Sequence, residues 1–212
     1  RLLVALGVDR PRAESLTAAI LDWRTPRPDG EPTPFDRYYL SLTPSFPSRH
    51  ASFQETEELL LLRGMTPDLY YGTLRSDSEG RLRPVAGLVD CVTALGESGP
   101  VDVNTAPQAV LVAAGLAPET AAAVVRAREI EPFRSLDRLR ASGLLEAAGN
   151  RLGIGGGPIY TLRATARGHA PDGKPLDAVR SVGATVRFGT SVAGSPVQVL
   201  RWRDHLWKGD AL

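Results

Sequence analysis

One cysteine in 212 residues is the first constraint. Cys91 has no partner for an internal disulfide, and a thiolate metal cluster is excluded. The compartment stays open, because many periplasmic proteins lack disulfides. Histidine is almost as scarce. His50, His169 and His205 are scattered with no partner at ligand spacing, so each reads as a surface or loop residue, and no acid, base and nucleophile constellation is visible. An excess of charge of one sign is missing too. With 25 basic and 24 acidic residues the formal net charge is +1, a weak electrostatic footprint for a nucleic-acid binder. No apolar run approaches the roughly 18–20 residues that cross a bilayer, and no secretory leader is visible. What remains is a chain that is 42% hydrophobic and 23% charged, close to globular averages and long enough for one or two domains with a real core.

The richest stretch is Val101 to Leu139, VDVNTAPQAVLVAAGLAPETAAAVVRAREIEPFRSLDRL. It predicts an extended lead-in, two short helices around a glycine turn, and a third helix after Phe133. Thr105-Ala106-Pro107-Gln108 fits a capping box. Gly115 ends the first helix, and Pro118 sits where a missing N–H costs nothing at the start of the second. Arg126 and Arg128 suit that helix's C-terminus, and Ser135 offers the next N-cap. This is a compact helix-hairpin-helix (SAM-like) pattern, of the kind that binds either DNA backbone or other proteins.

Upstream, Leu2 to Trp23 reads as two helices around Gly7-Val8-Asp9, with Asp9 as N-cap and Leu16, Ile20 and Trp23 on one face. Residues 24–50 carry Pro26, Pro28, Pro32, Pro34, Pro44 and Pro47 and read as a long ordered loop. Ser52 opens a second capping box with Glu55, Leu59 to Leu62 form the buried part of that helix, and Thr66-Pro67 starts another through Tyr71. Ser76 to Gly80 is a polar turn, and Val85 to Leu95 is apolar without a clear period. A weak repeat is present: Leu6-Gly7-Val8 mirrors Ala114-Gly115-Leu116, and Phe53-x-x-x-Glu57-x-Leu59 mirrors Phe133-x-x-x-Asp137-x-Leu139. The last helix is expected to run to about Asn150, and Gly153 to Pro158 to form a hinge. Beyond it the period changes to two. Tyr160, Leu162, Ala164 and Ala166 alternate with Thr161, Arg163, Thr165 and Arg167, the pattern of a half-buried strand. Asp172-Gly173 marks a hairpin loop, and Leu176–Phe188 and Val197–Arg203 complete an antiparallel meander. So small a sheet needs a covering helix, and no candidate for it remains in the chain. The expected organisation is α+β: a helical domain over 1–152 with two helix-hairpin-helix-like units, a hinge over 153–158, and a β meander over 159–206.

The glycine cluster Gly153 to Gly157 is not a phosphate loop, because a helix precedes it, a strand follows, and Pro158 stands where Lys is needed. DNA contact by the helical hairpin is disfavoured. Its turn has one glycine rather than two, the first copy places Asp9 where phosphate would approach, and Glu129, Glu131 and Asp137 interleave with Arg126, Arg128, Arg134, Arg138 and Arg140. Asp22, Asp29, Glu31 and Asp36 are the candidate metal ligands: hard oxygens in a proline-stiffened loop can hold Ca²⁺, although a solvated loop explains them as well.

Several segments in combination resemble the minor pseudopilin K family of the bacterial type II secretion system. They are VDVNTAPQAVL with EPFRSLDRL, Asp22-Trp23 leading to Tyr38-Tyr39-Leu40, FQETEELLLLRGMTPDLY, and IYTLRATARG. The resemblance implies a non-enzymatic subunit whose small sheet is interrupted by a large helical domain. It implies an N-terminal hydrophobic helix, anchored in the inner membrane and packed on the sheet, with this region in the periplasm. The chain opens at Arg1 without Met, so that helix is expected in a preceding segment. Implied partners are minor pseudopilins I and J at the pseudopilus tip, then the major pseudopilin filament, with secreted substrates beyond. Some members carry Ca²⁺ after Asp-Trp. Here Arg24 and Thr25 follow Trp23, and Pro28 precedes Asp29, a departure from the acids that commonly recur there. The family also often has a disulfide, which one cysteine cannot make. The alternative is a DNA receptor of the competence type, which shares the Asn-Thr-Ala segment but typically ends at the hairpin.

Overall fold

The computed structural model describes residues 1–27, 30–76, 78–96, 99–141, 143, 148–189 and 196–204, with backbone alone at 138–140. The chain divides into two units. The first comprises Arg1–Leu95 with Pro100–Gly155, and the second Gly96–Gly99 with Gly156–Leu212. No helix among the described residues is long and apolar enough to cross a membrane.

In the first unit, α1 (Leu2–Ala5) and α2 (Arg10–Arg24) are joined through Gly7. The Asp9 carboxylate accepts from the Arg12 amide at 3.0 Å, which caps α2 as expected. Ala13, Leu16, Ala19 and Trp23 recur at helical spacing and are all buried. The α5 (Gln108–Ala113) to α6 (Pro118–Ile130) connection repeats this design 108 residues on, turning at Gly115 instead of Gly7. In the first copy the amides of Gly7 and Val8 donate to Val4 and Leu3, at 2.9 and 3.0 Å. In the second, Gly115 and Leu116 donate to Val112 and Leu111, at 2.9 and 3.2 Å. Both are Schellman closures. They need a left-handed residue, and the glycines supply φ of 86° and 119°. The accompanying apolar pair, Leu3 with Val8 and Leu111 with Leu116, is buried each time. The upstream half of the sequence repeat is therefore structural. The downstream half is not: Thr56–Leu61 is a 3-10 helix, whereas Leu136–Ala141 is an α-helix, α7.

Other expectations need correction. The Pro-rich stretch contains a helix, α3 (Pro34–Leu40), because Thr33 and Asp36 form a reciprocal capping box around Pro34. The box expected at Ser52 and Glu55 lies further on, where the Glu58 carboxylate accepts from the Gln54 and Glu55 amides at 2.8 and 3.1 Å. The Thr66-Pro67 start holds, opening α4 (Pro67–Tyr71) with the Thr66 hydroxyl accepting from Leu69 at 3.3 Å. The segment around the Ser76–Gly80 turn is a hairpin, β1 (Thr73–Ser76) with β2 (Leu82–Val85), followed by a 3-10 turn at Leu88–Asp90. The extended lead-in becomes β3 (Val101–Asp102), paired in parallel with β4 (Leu152–Gly153). Gly153 thus belongs to a sheet rather than a hinge. The α-helix after Phe133 ends at Ala141, and a 3-10 turn occupies Gly149–Arg151; residues 142 and 144–147 lie outside the described residues. Two cores result in this unit, one centred on Leu16, Trp23, Tyr39 and Tyr70, the other on Val103, Leu111, Ala121 and Val124.

The second unit is a meander of β5 (Ile159–His169), β6 (Pro175–Phe188) and β7 (Val197–Arg203), in the order β5-β6-β7. Its register places Tyr160, Leu162 and Ala164 opposite Val186, Ala184 and Val182. The next strand sets Trp202, Val199 and Val197 against Ala184, Val186 and Phe188. One face is therefore apolar. The other carries Thr161, Arg163, Thr165, Thr185, Arg187, Arg201 and Arg203, with Thr165 and Ser181 hydroxyls 2.8 Å apart. The alternation is as expected, but the half-burial is not: Tyr160 is 47%, Leu162 51%, Val199 56% and Trp202 56% exposed.

Candidate functional site

Trp23 positions a polar cluster in the first unit. Its indole packs edge-on against Tyr39 with centroids 5.5 Å apart, and its Nε1–H donates to Glu58 at 3.1 Å. The Ala51 amide donates to the Trp23 carbonyl at 3.2 Å, which draws His50 against the end of α2. His50 Nδ1 then lies 3.1 Å from the Asp22 carbonyl, and Nε2 lies 2.9 Å from Asp36 Oδ1. His50 is the one non-glycine residue with positive φ among those described, at 47°, a conformation costing on the order of 1 kcal/mol that its contacts must offset.

Asp36 serves two structures at once. Its Oδ2 accepts from the Thr33 amide at 2.9 Å as half of the α3 capping box, while Oδ1 faces His50. The Thr33 hydroxyl accepts from the Asp36 amide at 3.0 Å and donates to Asp22 Oδ2 at 3.3 Å. Burial pushes the Asp36 pKa up, but the nearby Ser48 hydroxyl, the Thr33 amide and hydroxyl, and His50 outweigh it and hold the group at about 2. Ser48 is itself buried, and its hydroxyl is the foremost of the influences that lower the Asp36 pKa.

Of the expected calcium ligands, the fold unites Asp22 and Asp36. Glu31 is exposed and does not join them, and Asp29 lies outside the described residues. The third member of the cluster is His50, which the sequence reading assigned to a surface loop. No local spacing could have found it, since 28 residues separate it from Asp22 and 14 from Asp36. An imidazole nitrogen with two carboxylates does not fit calcium, which takes about 6–8 oxygens.

The segment from Val101 to Phe133 owes its specificity to a second set of contacts. Asn104 receives the Phe133 amide on Oδ1 at 2.8 Å and donates Nδ2 to the Phe133 carbonyl at 2.9 Å. Arg128 donates to the Val103 and Ala106 carbonyls at 2.9 and 2.7 Å, so this cation serves the fold rather than a phosphate. The expected Thr105–Gln108 capping box does not form. Thr105 donates instead to Asp102 at 2.9 Å, Gln108 to the Pro118 carbonyl at 3.3 Å, and Pro107 takes the N-cap position. Cys91 offers no nucleophile. Burial, then the neighbouring Asp90 charge, pushes its pKa up to about 11, which keeps it a thiol.

Residues 1–75 and 101–154 match the family described as type II secretion system (T2SS), protein K. A type II secretion system protein K from Pseudomonas aeruginosa is 33% identical over 140 residues, which span 65% of this chain and 37% of that relative. Among solved structures, a chain of the GspK-GspI-GspJ complex from the enterotoxigenic Escherichia coli type 2 secretion system superposes with a TM-score of 0.57. That superposition covers 97% of this chain and 68% of the other at 14% identity, a likeness of fold. The two family matches, which together span most of the chain, and the Pseudomonas aeruginosa relative lead to one conclusion: the chain belongs to the protein K family of the type II secretion system.

Proposed function

We propose that this chain is the globular region of a minor pseudopilin that caps the tip of the type II secretion pseudopilus, bound to minor pseudopilins I and J and, through them, to the major pseudopilin filament. Its work is non-enzymatic: nucleating assembly and supporting the passage of secreted substrates. The helical hairpins of the first unit act as a scaffold for protein contacts rather than as a nucleic-acid grip. The region sits in the periplasm, held to the inner membrane by an N-terminal hydrophobic helix.

The observation that carries the reading is the apolar face of the β5-β6-β7 sheet. Tyr160, Leu162, Val199 and Trp202 lie on it at about half exposure, far more than a three-stranded sheet stable by itself would leave to water. Such a face suits a helix packed lengthwise, as the pseudopilin arrangement requires. Family membership and the fold shared with a chain of the GspK-GspI-GspJ complex support the choice of partners.

The test is assembly. The purified chain, mixed with the soluble globular domains of minor pseudopilins I and J, is expected to elute as one stable ternary complex in size-exclusion chromatography. Failure to associate at tens of micromolar would refute the reading, and salt-dependent DNA binding at physiological ionic strength would favour the competence-receptor alternative.

A further inference from the structure

We propose that the outer edge of β1 receives an extended acidic segment of a partner protein, which pairs there as a third strand. The β1–β2 hairpin is a sheet of two strands, with no further strand beside either among the described residues. A lone pair of strands is marginally stable in water, and an added strand completes it by main-chain hydrogen bonds.

Proline decides which edge is open. The register sets Leu74 opposite Pro84 and Ser76 opposite Leu82. Pro84 has no N–H to give, so Leu74 and Pro84 cannot exchange backbone hydrogen bonds, and the Thr73–Val85 and Arg75–Arg83 pairs carry the ladder. Alternation then turns the N–H and C=O of Leu74 and Ser76 outward, away from β2. No backbone group of the described residues meets them. On the far side Pro84 removes one of the outward donors, which makes β2 the poorer edge. The open edge is therefore β1.

Side chains set the chemistry of the incoming strand. Leu74, Ser76, Leu82 and Pro84 share one face, and Leu74 and Leu82 are 59% and 65% exposed. The other face carries Thr73, Arg75, Arg83 and Val85, and sets Arg75 directly opposite Arg83. Like charges so placed repel. A strand beside β1 with an acidic residue next to Arg75 relieves that repulsion, and its flanking apolar residues extend the face of Leu74 and Leu82. Charge on an edge strand commonly discourages pairing. Here it discriminates. A second copy of β1, paired about Arg75, brings arginine against arginine, and a lysine-bearing strand fares no better, whereas an acidic strand is favoured.

The experiment titrates the purified, ¹⁵N-labelled chain with the end-blocked peptide Thr-Val-Glu-Val-Thr and with its counterpart Thr-Val-Lys-Val-Thr. The acidic peptide is expected to bind with a Kd of about 0.1–1 mM and to shift the amides of Leu74 to Ser76. At a tenfold excess over Kd, exchange of the Leu74 and Ser76 amides with water should slow about tenfold. Ser76→Pro removes an outward donor and spares the hairpin's own ladder, so it should abolish binding. Arg75→Glu sets a carboxylate opposite Arg83, which favours the folded hairpin, and should reverse the preference toward the lysine peptide. If Ser76→Pro fails to fold, that reversal decides. No shift at Leu74 to Ser76 at millimolar peptide, equal binding of both peptides, or binding unchanged by Ser76→Pro would each overturn the proposal. So would protection of these amides that grows with chain concentration in the absence of peptide, since a second copy would then be the occupant.

Discussion

Replacing Asn104 with Ala gives the most direct test of how this fold is held together. Its amide group satisfies both backbone groups of Phe133, at 2.8 and 2.9 Å, in a segment between α6 and α7 that has no ladder partners. Alanine deletes two hydrogen bonds worth about 1 kcal/mol each and leaves a part-buried N–H and C=O seeking water. Partial burial moderates the penalty, so the loss should be about 2–3 kcal/mol. For a chain of this size that corresponds to a fall of roughly 4–12 °C in melting temperature. Asn104→Asp keeps the acceptor for the Phe133 amide but turns a carboxylate toward the Phe133 carbonyl, so it should cost at least as much. Urea denaturation followed by circular dichroism reads both. A loss below about 0.5 kcal/mol for Asn104→Ala, with unchanged m-value, would refute the clamp as a stabilising element.

Glu58 gives a pH dependence with a definite sign. Burial raises its pKa, but the Gln54 amide, the Trp23 indole, the Glu55 amide and Arg49 together hold it below the usual 4.5. Its stabilising contribution is therefore complete above pH 4.5 and is lost as pH falls through the lower folded-state value. Melting curves should show a steeper acid limb for the parent than for Glu58→Gln, and identical limbs would contradict the assignment. Gly87 is a steric position: a Cβ there would press on the backbone of Gly72, Tyr70 and Tyr71. Gly87→Ala should cost about 1–3 kcal/mol, because backbone cannot yield as a side chain can. A melting temperature within a degree of the parent would show that the β1–β2 hairpin slides freely past that contact.

Local chemistry was legible wherever a few neighbouring residues decide the outcome. Asp9, Thr66-Pro67, Gly7, Gly115 and Pro118 each fix a cap or a turn within five residues, and the structure places each as read. The period-two stretches after Pro158 likewise became strands with their apolar residues on one face. Capping boxes were less secure, because several nearby acceptors compete for the same amides. Glu58 rather than Ser52 serves the 3-10 helix Thr56–Leu61, and Pro107 displaced the box expected at Thr105. The α3 helix was hidden among prolines that looked like loop residues, although Pro34 is a helix-starting position once Thr33 caps it.

Sequence by itself determined the starts of α2, α4 and α6, the twin glycine turns, the alternation of the sheet and the residues that mark the protein K family, since each depends on near neighbours in the chain. Tertiary structure alone decided the rest. The parallel pairing of β3 with β4, the grip of Asn104 on Phe133 and the meeting of His50 with Asp22 and Asp36 join segments far apart in the chain. Such contacts arise because buried amides, carbonyls and carboxylates must find partners once water is excluded, and only the packed fold determines which partners are within reach.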